Sequence, residues 1–296
     1  MIIALATSTN LTAAERKKVK IDQEKDIASH YTTDNLLERI KTALITAGKD
    51  PGSLVADDPK GVDEFHTGGV QATDDLLAQL KIPSTTRVLD IGCGIGGAAR
   101  HIASNTGASV TGIDLTPDYI NTANKLSDMV GMSGQTRFLA GSALNLPVAD
   151  NSFDLATMFH VGMNIADKPA LFRETARALT PGGTFALFDI MQTNKGDLTF
   201  PFPWAEKPDW SFVESPETYK SAATQAGFEL LAERNCRDFT LEFFAKAFAA
   251  IKKNGAPPSV GIHLLMKDTA AQKLQNYVAE VNAEKLAPFE MIFRKF

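Results

Sequence analysis

A short apolar run that ends in a cluster of glycines constrains the fold of this chain most strongly. Residues 88–97 have the sequence Val-Leu-Asp-Ile-Gly-Cys-Gly-Ile-Gly-Gly. The pattern predicts a buried strand, a tight turn and a helix that begins at Gly97. Gly92 and Gly94 have no side chain and adopt positive φ at little cost, so the backbone there can approach a nucleotide-like ligand closely. The three glycines have the Gly-x-Gly-x-x-Gly spacing of nucleotide-binding turns.

Two acidic residues flank this turn and narrow the choice of ligand. A second apolar run, residues 108–113, ends at Asp114, about 20 residues after the turn, where a carboxylate can accept hydrogen bonds from both ribose hydroxyls. Asp90 lies inside the first run, shortly before the first glycine. An acid so close to the helix N-terminus would repel a pyrophosphate but not a cationic ligand without phosphates. The two acids therefore favour a cationic adenosine-type cofactor.

Strand and helix patterns alternate between residues 86 and 191, in the order that produces a parallel sheet covered by helices. The predicted strands are residues 87–90, 109–114, 136–140, 153–159 and 184–190. The predicted helices are residues 97–104, 117–129 and 168–179, and the turn Thr180-Pro181-Gly182-Gly183 precedes the fifth strand. Right-handed crossovers then give a doubly wound α/β sheet, with the ligand at the carboxyl ends of the central strands.

The residues before and after this alternating region are predicted to form further elements around a core domain of residues 81–191. Residues 1–80 have helical patterns and form a predicted N-terminal cap, whose first helix opens with a capping-box spacing from Thr12 to Glu15. Residues 192–296 are predicted to complete the sheet and to carry lid helices. The other predicted elements are helices at 33–47, 71–80, after Ser215, 241–253 and 269–285, and strands at 228–233 and 289–294.

Composition argues against several classes of partner. The formal net charge is −5 over 296 residues, whereas a nucleic-acid-binding surface needs clustered positive charge. Cys93 and Cys236 are far apart and predict neither a disulfide framework nor a zinc site. Residues 2–6 form too short an apolar run for a signal peptide, and no run is long enough to span a membrane. We therefore expect a cytoplasmic protein with a small-molecule substrate.

Three segments together resemble a known family. Residues 88–97, Val-Thr-Gly-Ile-Asp-Leu-Thr at 110–116 and Leu-Thr-Pro-Gly-Gly at 179–183 are similar to class I S-adenosylmethionine-dependent methyltransferases. Within them the chain resembles the small-molecule group that includes ubiquinone/menaquinone C-methyltransferases and sarcosine/dimethylglycine N-methyltransferases. The resemblance covers residues 86–191 most strongly. It implies a Rossmann-like sheet of seven strands, mostly parallel, with an antiparallel last strand entered after inserted helices.

The resemblance implies contacts to the cofactor, residue by residue. Asp90, Gly92 and Gly94 match positions that face the methionine half of S-adenosylmethionine. Asp114 matches the acid that binds the ribose, and Leu115 matches the apolar residue under the adenine.

Further residues are expected to enclose the same cofactor. Ser142 and Ala143 lie in the segment that brackets the adenine, where many relatives carry an aspartate in place of Ser142. Gly97 opens the helix behind the turn and is counted with the cofactor contacts. Tyr31 and His66 belong to the cap, from which related enzymes point a tyrosine or a histidine over the cofactor. Helix capping and turn formation are the alternative role for the cap residues.

A last group is expected to contact the methyl acceptor. His160 follows the fourth strand, and its neutral pKa range suits removal of a proton. The alternative is a hydrogen-bonded core histidine. Asn164, Phe202, Trp204 and His263 lie in the segments expected to cover the substrate and to exclude water.

These observations predict methyl transfer from S-adenosylmethionine to a small acceptor, with S-adenosylhomocysteine as the product. The expected acceptor is an amine of the sarcosine or dimethylglycine type, or a quinone-like ring carbon. Two alternatives stay open: a nicotinamide-dependent oxidoreductase that uses the same glycine turn, and a non-catalytic adenosyl-binding protein on the same fold. No metal is expected, because the acidic pairs of metal-dependent O-methyltransferases are not recognisable.

Overall fold

One seven-stranded sheet forms the centre of the protein. The computed structural model describes residues 23–32, 34–266 and 269–296, and its strand order is β3-β2-β1-β4-β5-β7-β6. β7 runs antiparallel to both of its neighbours, whereas the pairs among β1 to β5 are parallel. The strands are β1 (Arg87–Ile91), β2 (Ser109–Asp114), β3 (Thr136–Ala140), β4 (Phe153–Phe159), β5 (Leu179–Gln192), β6 (Phe228–Asn235) and β7 (Leu286–Lys295). The predicted α/β sheet with an antiparallel last strand is confirmed.

Helices form the cap and the connections between strands. The capping box from Thr12 to Glu15, which is predicted to open the first helix, lies outside the described residues. Within residues 23–32 and 34–80 the regular elements are helical, as predicted. The helices are α1 (described over 23–31), α2 (Leu36–Thr46), α3 (Lys60–Asp63), α4 (Val70–Leu77), α5 (Gly97–Thr106), α6 (Pro117–Met129), α7 (Lys168–Ala178), α8 (Pro216–Gln225), α9 (Arg237–Asn254), α10 (His263–Met266) and α11 (Ala270–Asn282).

The strand order places a ligand crevice next to β1. Asp90 of β1 pairs with Gly112 of β2 on one side and with Thr157 of β4 on the other. The order of the strands reverses between β1 and β4, and doubly wound sheets bind ligands outside the carboxyl ends of the strands at such a reversal. β1 is buried from Val88 to Ile91, as expected for a parallel strand with both faces covered. The glycine turn therefore lies at this crevice.

β5 begins earlier than the sequence predicts. The predicted strand started at 184, but the structure includes Leu179 and the predicted turn in one strand to Gln192. The register explains the difference, because Phe153 pairs with Leu179 while Leu155 already pairs with Thr184. Gly182 has a φ of 77° within this irregularity. The glycine-rich turn therefore forms a bulge within the strand, where a break was predicted.

A buried ion pair joins the N-terminal cap to the core. The guanidinium of Arg100, on α5, donates to the Asp63 carboxylate at 2.6 Å and to the Ile95 carbonyl at 2.8 Å. Both charged side chains are 1% exposed. Burial raises the pKa of Asp63 even though Arg100 opposes the shift. The pair thus connects α3, the glycine turn and α5, and the loss of either partner leaves a buried charge unpaired.

We expect Arg100→Met to lower the free energy of unfolding by about 3–5 kcal/mol, since it leaves Asp63 buried without its cation. Arg87→Met is the matched control, because the Arg87–Asp154 pair is largely exposed, with side chains 49% and 39% accessible. Exposed pairs contribute at most about 1 kcal/mol. Urea unfolding monitored by circular dichroism compares the two variants. Equal losses would contradict a structural role for the buried pair.

Candidate active site

A cavity of about 510 Å³ opens at the carboxyl ends of β1, β2 and β4 and continues towards α9 and α11. This volume is typical of small-molecule sites. The predicted residues that line it are Tyr31, His66, Asp90, Gly92, Gly94, Asp114, Leu115, Ser142, Ala143, His160, Asn164, Trp204 and His263. Two predicted residues, Gly97 and Phe202, are not part of its wall.

The glycines of the turn have different roles. A Cβ at Gly92 would lie 2.2 Å from a methyl carbon of Val161, so this glycine allows the chain after β4 to pack against the turn. Gly94 has a φ of 54°, and nothing lies within 4 Å of a Cβ built there, so its backbone borders open space. A Cβ at Gly97 would lie 2.1 Å from the Asp63 carbonyl oxygen. Gly97 therefore serves the packing of the cap against α5, which corrects its expected place among the ligand contacts.

Asp114 holds the turn in place from the end of β2. Its Oδ2 accepts a hydrogen bond from the Gly94 backbone N–H at 2.9 Å, and its Oδ1 accepts one from the Thr116 N–H at 2.8 Å. Burial raises its pKa, and these backbone hydrogen bonds oppose the shift. An ionised carboxylate offers about four acceptor positions. The side chain can therefore bind the turn and still accept hydrogen bonds from a ligand.

Asp90 is a buried carboxylate with one oxygen unpaired. Its Oδ1 accepts a hydrogen bond from the Thr157 hydroxyl at 2.8 Å, whereas its Oδ2 has no hydrogen-bond partner among the described residues. The residue is 2% exposed. Burial raises the pKa of Asp90 to about 7, against an opposing effect of the Thr157 hydrogen bond. A cation next to Oδ2 would supply the missing partner and favour the ionised form.

A second carboxylate, from the cap, faces the same space. Glu64 accepts hydrogen bonds from His66 at 2.8 Å and from the Thr73 hydroxyl at 2.9 Å. Burial acts to raise the pKa of Glu64, but the hydrogen bonds and the charge of His66 outweigh it and the pKa is lowered. The other ring nitrogen of His66 contacts the Thr67 carbonyl at 3.3 Å. Both nitrogens of His66 are engaged, so its role here is to orient Glu64.

His160 stands at the end of β4 in an unusual backbone conformation. Its φ is 53°, which is uncommon for a residue with a side chain. Its ring lies 4.9 Å from that of Phe188 and 5.9 Å from that of His66, measured between centroids. Burial, together with His66, lowers the pKa of His160 well below its ordinary range. The ring is therefore neutral, and its Nε2 is buried without a hydrogen-bond partner in the described part of the chain.

The predicted lid is a hydrogen-bonded layer. The Tyr31 hydroxyl donates to Asn164 Oδ1 at 2.8 Å, and Asn164 Nδ2 donates to the Trp204 carbonyl at 3.0 Å. Phe202 stacks on Trp204 with ring centroids 4.6 Å apart and is fully buried. Phe202 therefore supports Trp204 from behind, which corrects the expectation that both rings face the substrate.

Helix α1 brings a carboxylate to the segment after β3. The Ser142 hydroxyl donates to Glu24 Oε1 at 2.5 Å, and both residues line the cavity. Where many relatives place an aspartate in that segment, this chain pairs a serine with an acid from the cap. No local pattern predicts this contact, because it joins residues more than a hundred positions apart.

Several functional candidates were missed by sequence reasoning. The wall contains buried polar atoms that have no hydrogen-bond partner among the described residues: Asp63 Oδ1, Glu64 Oε1, Asp90 Oδ2, Tyr119 Oη and His160 Nε2. Buried polar groups are almost always hydrogen-bonded, so this cluster marks a place where a ligand supplies partners. Of these residues, the sequence singled out only Asp90 and His160. The run of acids at 63–64 before His66 was the available signal for the others.

The described residues include neither a metal-binding cluster nor a helix able to span a membrane. Among residues 23–32, 34–266 and 269–296, no group of three or more His, Cys, Asp or Glu side chains is arranged to hold a metal ion. Over the same ranges, none of the helices combines the length and the hydropathy needed to cross a lipid bilayer.

Comparison with known proteins supports the resemblance. Residues 89–187 match the family described as methyltransferase domain. The chain is 33% identical over 168 residues to methyltransferase GfsG of Streptomyces halstedii. The aligned region covers 56% of this chain and 58% of that protein. It is 35% identical over 122 residues to a sterol 24-C-methyltransferase of Neurospora crassa, covering 41% and 32% respectively. The chain thus spans less than two thirds of these curated relatives.

A solved structure has a similar fold. A putative sarcosine dimethylglycine methyltransferase from Galdieria sulphuraria superposes with a TM-score of 0.63 at 24% identity, over 77% of this chain and 85% of that one.

We expect Asp90→Asn to stabilise the ligand-free protein at high pH. Because the pKa of Asp90 is about 7 in the folded state against an ordinary 3.8, the wild type loses stability as pH rises between these values, and the loss is complete above about pH 7. Asparagine avoids this loss, so the variant gains roughly 2–4 kcal/mol at about pH 8 and little at about pH 4.

Asp154→Asn is the matched control for this experiment. Its hydrogen bond with Arg87 lowers the pKa of Asp154, so the native carboxylate stabilises the fold above that pKa and the variant loses a little stability. Urea unfolding across this pH range measures both. A pH-independent difference for Asp90→Asn would contradict the raised pKa.

Proposed function

We propose that the chain, whose residues 89–187 match a methyltransferase domain, is a class I S-adenosylmethionine-dependent methyltransferase and that it methylates a small-molecule acceptor in the cavity described above. The observation that carries the proposal is the buried Asp90 carboxylate, whose unpaired oxygen lies beside an open glycine turn. A phosphate-bearing cofactor would add negative charge to this site. A sulfonium and an ammonium group instead match it, because a cation favours the ionised carboxylate.

The residues of the cavity fit S-adenosylmethionine part by part. Asp90 and the backbone at Gly94 would face the methionine half, and Asp114 would accept hydrogen bonds from the ribose. Ser142 and Glu24 together offer polar atoms to the adenine, for which Leu115 provides an apolar surface. Each of these residues lines the cavity.

Methyl transfer from a sulfonium requires few catalytic groups from the protein. When bound, S-adenosylmethionine supplies an electrophilic methyl carbon on a sulfonium sulfur, which keeps the bonding electron pair as the methyl group leaves. The cavity aligns the acceptor and excludes water. Trp204 and Asn164 close the wall, and neutral His160 can accept a proton at Nε2 from an acceptor that carries one. His160 is thus the proposed base.

The names of the relatives suggest a nitrogen or a carbon nucleophile as the acceptor. The similar structure from Galdieria sulphuraria is named for sarcosine and dimethylglycine, and the Neurospora crassa relative is named for C-24 of a sterol. Neither the family match nor these relatives support a nicotinamide-dependent oxidoreductase. A cytoplasmic location and the absence of a nucleic-acid partner remain sequence predictions, as do the domain bounds at 80 and 191.

We expect Asp114→Ala to weaken S-adenosylhomocysteine binding by roughly 1–3 kcal/mol, or about 5- to 150-fold, because ribose hydroxyls lose their acceptor. Asp118→Ala is the control, since Asp118 lies on the exposed first turn of α6. Isothermal titration measures both affinities, and thermal unfolding verifies that both variants fold. Equal affinities for the two variants would contradict the assigned role.

Turnover tests the proposed function itself. S-adenosylhomocysteine release is followed with a panel of amines, phenols, quinols and thiols, and at least one acceptor should give saturable turnover. His160→Ala should keep cofactor affinity and lower turnover by about 10²–10⁴-fold for an acceptor that loses a proton. Cofactor binding without turnover across a broad panel would favour the non-catalytic alternative.

A further inference from the structure

The cavity continues beyond the cofactor residues into a region that we call the apolar chamber. Its wall is formed by one face of α9 together with α11. The α9 and α11 residues that line it are Phe243, Phe244, Ala247, Phe248, Ile251, Ala270, Leu274 and Tyr277. We propose that the methyl acceptor is an uncharged, mainly apolar molecule that fills the apolar chamber and presents its reacting atom beside His160. This inference rests on the proposed function and narrows its substrate class.

Helix α9 has an apolar face that the rest of the protein leaves incompletely covered. Over its 18 residues, only Thr240 and Phe244 are buried. Phe243 and Phe248 remain partly exposed, and Ile251 is 36% exposed. An amphipathic helix normally buries its apolar stripe against the core, whereas this stripe faces the cavity. An apolar ligand would remove that surface from water, at about 25 cal/mol for each Å² buried.

The carboxylates and the lysine of the described cavity wall lie outside the apolar chamber, and burial lowers the pKa of His263, which also lines the cavity. Among the described lining residues, none from 237 onwards is Asp, Glu, Lys or Arg. The charged lining residues come from the N-terminal cap, the strand ends and the start of α7: Glu24, Lys60, Asp63, Glu64, Asp90, Asp114 and Asp167. Lys60, the lysine of this set, forms an ion pair with Asp57 at 2.6 Å. A carboxylate or phosphate in the apolar chamber would therefore be buried without a counter-charge, which is strongly unfavourable.

Among the described residues of this part of the wall, the fully buried polar side-chain atoms already have partners, with one exception. The Tyr277 hydroxyl and the Thr67 hydroxyl form a hydrogen bond at 3.1 Å, and the Trp204 indole N–H donates to the Ser211 hydroxyl at 2.9 Å. The exception is His160 Nε2. An acceptor with one hydroxyl or amino group satisfies that nitrogen, whereas one with several polar groups would leave the rest unpaired. This arrangement disfavours sarcosine, dimethylglycine and phosphorylated amines.

The first test measures binding of a neutral apolar probe, phenylnaphthylamine, by its fluorescence in the presence of saturating S-adenosylhomocysteine. We expect one saturable site. Ala247→Glu places a charge in the wall and should weaken probe binding at least about tenfold, while S-adenosylhomocysteine affinity stays within about twofold. Ala249→Glu is the matched control, since Ala249 is exposed on α9 and does not line the cavity. It should leave both affinities unchanged.

Phe248→Ala is the second variant, in case Ala247→Glu does not fold. It shortens the apolar wall without adding charge, and we expect probe affinity to fall about three- to thirtyfold. The inference is overturned if the wild type does not bind the probe, or if the lining variants and the Ala249→Glu control bind it equally well.

The second test isolates charge from shape. Para-hydroxybiphenyl and its para-carboxylate derivative have the same core, and each competes with the probe. We expect the neutral phenol to displace the probe at a concentration at least about tenfold lower. Equal potency, or saturable methylation of sarcosine or phosphoethanolamine, would overturn the inference.

Binding of S-adenosylhomocysteine distinguishes a wrong substrate class from a failure of the proposed function. If the wild type did not bind S-adenosylhomocysteine, the methyltransferase assignment would fail, whatever the probe does. If it binds S-adenosylhomocysteine and methylates charged amines, methyl transfer stands and only the substrate class is wrong.

Discussion

The site depends on a carboxylate that the fold buries without completing its hydrogen bonds. Asp90 lies near the carboxyl end of β1 and receives one hydrogen bond from Thr157, while its second oxygen has no partner among the described residues. Burial in that state raises the pKa of the Asp90 carboxyl group to about 7, so the group is only partly ionised at neutral pH. The ligand-free protein therefore stores an unfavourable interaction that a cation relieves. The proposed preference for a sulfonium cofactor over a dinucleotide rests on this charge balance.

The rest of the architecture places other groups around that carboxylate. Parallel strands bring Asp90, Asp114 and His160 to one edge of the sheet, and the reversal of strand order next to β1 opens the crevice between them. The cap closes the crevice from the other side and is anchored by the buried Arg100–Asp63 pair. Charge is thus concentrated at the cofactor end, and the opposite end is left to the apolar face of α9. This division gives the cavity one polar and one apolar half.

Local patterns in the sequence were sufficient for most core elements, because periodicity and glycine or proline punctuation determine them, but the turn at 180–183 wrongly predicted a break where β5 is continuous. α6 begins at Pro117 and ends at Met129 as predicted, since proline suits the first turn of a helix. Contacts across long sequence distances were not predictable in this way. The pairing of Ser142 with Glu24, the burial of Phe202 behind Trp204 and the role of Gly97 in cap packing all depend on how separate elements meet. Those contacts decide which residues face the ligand.

Proton release on cofactor binding tests the central role of Asp90 most directly. Calorimetric titration with S-adenosylmethionine, in buffers of different ionisation enthalpy, counts the protons exchanged. Because binding a cation ionises a carboxyl group with a pKa of about 7, we predict release of close to one proton at about pH 6 and almost none at about pH 8.5. Asp90→Asn should remove the release. Tight binding at both pH values with no proton release at either would contradict the account.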